Sequence, residues 1–115
     1  MLDQDCLFCK IIRGEIPSSK VYEDEEIYIF RDISPQAKIH YLVVLKDHFA
    51  EASLMSEEQA ETLGRAIRKI GLMKSELGLE GGYRIAVNTG DDACQSVHHL
   101  HVHVLGGEKL GESMC

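Results

Sequence analysis

Residues 96–107 read SVHHLHVHVLGG and hold four of the six histidines in the chain. Successive side chains of a strand point to opposite faces, so this stretch predicts a β-strand with His99, His101 and His103 in a row along one face. Leu100, Val102 and Val104 then turn toward a core. Side chains two apart on a strand stand about 7 Å from one another, too far for neighbouring rings of the row to share one ion comfortably. Three imidazoles in register suit covalent chemistry better: one ring is the nucleophile, and its neighbours hold its tautomer or offer protons.

Outward from that strand, periodicity places the other elements. Ser56 and Gln59 have capping-box spacing, and Ala60, Leu63, Ile67, Ile70, Met73 and Leu77 follow at helical intervals up to Gly78. One long, core-facing helix is expected there. FCKIIRGE, starting at Phe8, reads as a short helix with Phe8, Ile11 and Ile12 on one side and Gly14 at its end. SKVYEDEEIYIFRD reads as two strands joined by an acidic turn near Asp24–Glu25. ISPQAK is a loop, because Pro35 keeps Ser34 extended. IHYLVVLKD is a nearly uniform apolar, β-branched strand and so a central one, and YRIAVNT supplies another. Without repeats or linkers, these elements predict one α+β domain over residues 1–115. Its five-stranded antiparallel sheet carries one long helix and a short N-terminal helix.

Charge and cysteine usage narrow the function. A chain of 115 residues with net charge −7 argues against nonspecific binding to nucleic acid or to a membrane surface. An anionic substrate still binds where the local site supplies N–H groups. MLDQDCLFCK lacks the basic and apolar segments of a signal peptide, and the longest plainly apolar run, Tyr41 to Leu45, is too short to span a bilayer. Four cysteines without an export signal point to the reducing cytoplasm, where cysteine serves metal binding or packing. Cys6 and Cys9 form a C-x-x-C pair outside any βαβ unit, which argues against thioredoxin-like redox chemistry. Two thiolates need two further ligands to close a tetrahedral zinc site.

Taken with its flanks, HHLHVHVLGG resembles the His-φ-His-φ-His-φ-φ signature of the histidine triad (HIT) superfamily. QSVHHLHVHVLGG is similar to its Hint branch, the nucleotide-binding purine nucleoside phosphoramidases. FCKIIRGEIPSSKVYEDE, RDISPQAKIHYLVVLKDH and GYRIAVNTG resemble Hint segments in the same order, so the resemblance covers nearly the whole chain. It implies that His101 attacks the α-phosphorus of a nucleoside 5′-phosphoramidate and forms a covalent nucleotidyl-histidine. By the same resemblance, His103 binds the phosphate region, Ser96 and Asn88 contact the phosphate or leaving group, and His40 supports the triad from behind. Asp32 matches a carboxylate that accepts both ribose hydroxyls, a task for an acceptor-only group; a loop-capping Asp is the plainer reading. Leu7, Phe8, Ile11, Phe30 and Ile33 match positions that sandwich a purine, although composition alone reads all five as core.

The resemblance also implies metal and partners. A subset of the superfamily completes the C-x-x-C pair with two histidines, here His48 and His99, to hold a structural zinc with Cys6 and Cys9. No cofactor is required for catalysis. A homodimer joined edge to edge into one continuous sheet is expected. Three departures stand out: Cys94 where relatives carry Gly, His98 where an aromatic residue is common, and a tail, EKLGESMC, without the Trp and prolines of many Hint chains. Two other activities remain open: hydrolysis of dinucleoside polyphosphates, as in the Fhit branch, and a non-catalytic nucleotide- or zinc-binding regulatory module.

Overall fold

The apolar run expected to be a central strand lies at the centre of the sheet. In the computed structural model, which describes residues 5–112, strands β1 (Lys20–Glu23), β2 (Ile27–Arg31), β3 (Ile39–Leu45), β4 (Tyr83–Ala86) and β5 (His101–Gly106) are joined in the order β1-β2-β3-β5-β4. Every pairing is antiparallel. From His40 to Leu45 every residue of β3 is buried, because both of its faces are covered. Parts of the N-terminal and tail readings fall on residues 1–4 and 113–115, outside the described residues.

The long helix α2 (Glu57–Leu72) starts at the expected capping box, with Gln59 N–H donating to Ser56 Oγ and Ser56 N–H to the Gln59 side chain. Its inner face, Ala66 and Ile70 with Leu63, packs on Ile27, Ile29, Tyr41, Val43, Leu45, Leu100, Val102 and Val104. Helical spacing carries the apolar pattern to Leu77, but the helix stops at Leu72. Residues 74–77 form turns that end at Gly78, where φ is +76° and a Cβ would lie 2.9 Å from Ile39 Cδ1. Leu77 reaches the same core from this turn, which is why the pattern outruns the helix.

The opposite face of the sheet carries α1 (Leu7–Ile12), whose Phe8 and Ile11 pack on Tyr28, Phe30, Leu42 and Val44. Six residues are far too few for a helix to persist alone, so tertiary anchors hold α1 in place. The register pairs His101 with Val44 and His103 with Leu42, which puts both rings on the α1 face. His99 departs from the predicted row. β5 begins only at His101, because Leu100 N–H donates to Phe49 O at 2.8 Å instead of joining the ladder with β3. Among the described residues, no helix is long and apolar enough to cross a membrane.

Candidate active site and metal cluster

A cavity of about 370 Å³ opens on the α1 face. Its wall brings together Leu7, Phe8, Ile11, Phe30 and Ile33 with Asp32, Ser96, His101 and His103. Phe8, Ile11 and Phe30 are buried, whereas Ile33 is 98% exposed and stands at the rim. One side of this wall is thus apolar and the other carries polar groups, the usual make-up of a small-molecule site. Asn88 is placed elsewhere. It lines a smaller cavity of about 130 Å³ with Gln36, His40, Ala86, His103 and Leu105. His103 belongs to both walls and separates them.

Backbone partners decide which nitrogen of each ring carries the proton. A carbonyl oxygen only accepts, so His101 Nδ1–H donates to His99 O at 2.8 Å and the lone pair of neutral His101 lies on Nε2. A backbone N–H only donates, so Gln36 N–H, 3.1 Å from His40 Nδ1, leaves the His40 proton on Nε2. That proton points at His103 Nδ1, 2.9 Å away, with Asp32 Oδ2 at 3.5 Å. His103 therefore keeps its own proton on Nε2. Burial lowers the pKa of His101. Burial, followed by the neighbouring His101 and His40, pushes His103 down to about 4. Both rings are neutral near pH 7.

Asp32 is the loop-capping residue of the plainer reading. Its Oδ1 accepts Ser34 N–H at 2.8 Å and so shapes the loop, while the residue also lines the cavity. Ser96 is exposed in the same wall. Its segment is held by Gln95, a residue to which sequence reasoning gave no role. The Gln95 side chain is buried, accepts Gly90 N–H at 2.9 Å and donates to Ala50 O at 2.6 Å and Val97 O at 3.1 Å. A buried amide knitting three loop segments leaves no periodic signal in a sequence. His98 is exposed and lines a shallow depression with Cys6, His48 and Ser96.

The second cluster sits at the N-terminus of α1. Ligand atoms of Cys6, Cys9, His48 and His99 all lie within 4.8 Å of one another. His99 Nδ1 stands 3.3 Å from Cys6 Sγ, 3.5 Å from Cys9 Sγ and 3.2 Å from His48 Nδ1, and Cys9 Sγ is 3.3 Å from His48 Nδ1. A tetrahedral ion with bonds of about 2.3 Å to sulfur and 2.0 Å to nitrogen spans edges of roughly 3.3–3.8 Å. The donor set and spacing fit zinc. His99 Nε2–H donates to Leu45 O at 2.6 Å, which turns the Nδ1 lone pair toward the sulfurs. Burial pushes the His99 pKa down to about 4, so its ring is neutral and able to ligate.

Comparison with known proteins fits this geometry. The HIT domain model matches residues 13–110. The chain belongs to the HIT domain family. A maize 14 kDa zinc-binding protein is 44% identical over 110 residues, 94% of this chain and 86% of its own length. Adenylylsulfatase HINT1 of Arabidopsis thaliana is 40% identical, over 94% of this chain and 75% of its own. The crystal structure of a HIT family hydrolase from Legionella pneumophila Philadelphia 1 superposes with a TM-score of 0.85 at 41% identity, covering 94% of this chain and 97% of that one. This HIT-family chain is hydrolase-like, and its fold is the expected α+β HIT architecture.

Proposed function

We propose that this HIT-family chain hydrolyses nucleoside 5′-phosphoramidates, or related adenylyl or guanylyl conjugates, through a nucleotidyl-His101 intermediate. The observation that carries the reading is the tautomer of His101. Its Nδ1–H is committed to His99 O, which leaves Nε2 as the nucleophilic nitrogen of a neutral ring in the cavity wall. In the first step Nε2 attacks the α-phosphorus, an N–P bond forms, and the P–N bond to the amine breaks. The leaving nitrogen takes a proton from solvent as it departs, and solvent recovers that proton from the water of the second step. Water then attacks the phosphorus, the His101–P bond breaks, and the nucleoside monophosphate leaves with His101 restored. Covalent catalysis divides one difficult displacement into two easier ones.

The other residues bind and orient. His103 Nε2–H and the Ser96 hydroxyl donate to the phosphoryl oxygens, where negative charge grows in the transition state. His40 fixes the His103 tautomer. Asn88 offers a neutral polar contact from the far side of His103. Asp32 accepts the ribose hydroxyls, and Leu7, Phe8, Ile11, Phe30 and Ile33 take the purine. Cys6, Cys9, His48 and His99 hold a structural zinc, which when bound ties α1 to the segments after β3 and before β5. The whole chain acts as one HIT domain in the cytoplasm. It pairs edge to edge with a second copy into one continuous sheet; sedimentation at a monomer mass removes that pairing.

Rapid-quench mass spectrometry with an adenosine phosphoramidate tests the mechanism. An adduct of one nucleotidyl group on His101 is expected. Turnover with no adduct on any histidine, and full turnover by His101→Ala, would remove it. Parallel rates for adenylyl sulfate and a diadenosine polyphosphate place the leaving-group preference.

A further inference from the structure

The two clusters are not independent, because they share one short helix and one peptide unit. Along α1 and its cap, Cys6 and Cys9 turn to His48 and His99, while Leu7, Phe8 and Ile11 line the cavity. The Phe8 ring touches both sides: its centroid lies 5.0 Å from that of His101 and 6.0 Å from that of His99, both edge to face. His99 offers its ring Nδ1 to the sulfurs and its main-chain oxygen to His101 Nδ1–H, so one residue serves ligand and nucleophile at once. The Cys6 thiol also caps α1, accepting Cys9 N–H at 3.5 Å.

We infer that metal binding at Cys6, Cys9, His48 and His99 and nucleotide binding in the cavity are positively coupled, through Phe8 of α1 and the His99 peptide. The inference rests on the readings of both sites given above. A six-residue helix has little stability of its own, so whatever anchors one side of it orders the other. An ion that gathers the four ligands holds Leu7, Phe8 and Ile11 as a cavity wall and fixes the carbonyl that sets the His101 tautomer. A nucleotide resting on Phe8 and Ile11 holds α1 down and keeps Cys6 and Cys9 over the histidines. Whichever ligand binds first meets the ordering cost, and the second binds tighter. Linkage makes the effect reciprocal: both affinities change by the same factor.

The test uses the zinc-loaded chain with AMP as the nucleotide probe. Transfer of zinc to a chromophoric chelator is titrated with and without saturating AMP, and AMP affinity is measured calorimetrically for loaded and metal-stripped protein. We expect AMP to tighten zinc retention about tenfold, and zinc to tighten AMP binding by the same factor, within the usual range of such couplings. Phe8→Ala keeps all four ligands and is expected to retain zinc while the coupling factor falls toward one. If stripping unfolds the chain, the transfer assay on loaded protein still decides. Zinc and AMP that both bind, with neither altering the other, overturn the coupling and leave the two site readings standing. A chain that binds AMP but retains no zinc overturns the coupling together with the metal reading. Binding of zinc but not of AMP overturns it together with the nucleotide reading.

Discussion

Asp32, His40 and His103 gather ligand-type atoms within 4.8 Å of one another, as Cys6, Cys9, His48 and His99 do. Distance alone treats the two groups alike, but their backbone partners do not. At His99 the partner is an acceptor, Leu45 O, so the ring proton is drawn outward and a lone pair faces the cluster. At His40 the partner is a donor, Gln36 N–H, so the ring proton is driven inward toward His103 Nδ1 and Asp32. The first group converges lone pairs and thiols whose protons a cation displaces. The second alternates donor and acceptor, is satisfied as it stands, and passes a fixed orientation to His103. Similar sets of residues thus turn lone pairs inward or pass on a ring orientation according to one main-chain atom behind each ring.

The largest expected effect separates chemistry from architecture. His101→Ala lowers kcat by roughly 10⁴-fold or more, while zinc content by metal analysis stays at one per chain. Cys9→Ser does the converse. It takes zinc close to zero and costs about 3–4 kcal/mol of stability, the linkage expected when free zinc exceeds its Kd by about 100- to 1,000-fold. Chemical denaturation with and without zinc reads that loss. His40→Leu leaves His103 Nδ1 without the donor that orients it, at a cost of about 1–3 kcal/mol, so kcat/KM falls roughly 5- to 150-fold. Zinc content does not change in this variant. Loss of zinc from His40→Leu would break the distinction between the clusters.

The sheet and α2 were legible in the sequence because burial on one face leaves a period. Val102 and Val104 alternate with His101 and His103, and Ser56 with Gln59 marks where the helix begins. The family resemblance, rather than composition, pointed to the cavity wall, where Asp32, Ser96, His101 and His103 meet the five apolar positions. What could not be read is whatever the main chain decides. Leu45 O, Gln36 N–H and His99 O set three tautomers, and no side-chain pattern encodes them. The row of three histidines failed at His99 for the same reason: Phe49 O takes Leu100 N–H and ends the ladder early. Asn88 shared the resemblance of the other site residues, yet β4 delivers it to the far side of His103.

Acid sharpens the comparison more gently. The pKa of His103 falls from 6.5 to about 4 on folding, chiefly through burial, so between those values the unfolded chain binds more protons than the folded one. Stability therefore rises with pH across this window and is lost as pH falls from about 6.5 toward 4. Below the lower value both states are protonated and the contribution is flat. His103→Asn has no ring to titrate, so thermal melts of this variant between pH 7 and 4 show a shallower decline than the parent. An identical decline in both would mean that His103 already titrates near its ordinary value in the fold.

The smallest effect lies on the loop that joins the two regions. Cys94 is the one non-glycine residue with positive φ among those described, at φ +62° and ψ +34°. It is also the position at which the resemblance to Hint chains implies Gly. An L-residue held in this left-handed region costs roughly 1–2 kcal/mol, while Gly there avoids the clash but loses about 0.5–1 kcal/mol more chain entropy on folding. The difference favours Gly, so Cys94→Gly is expected to stabilise the chain by about 0.5–1 kcal/mol, a rise of a few degrees in Tm. Gln95 and Ser96 follow directly, and the Gln95 amide already ties this loop to Gly90 and Ala50. Relief at Cys94 therefore leaves Ser96 in place, and neither zinc content nor the His101 adduct should change. A lower Tm in Cys94→Gly would mean that the thiol makes a contact worth more than the backbone strain it imposes.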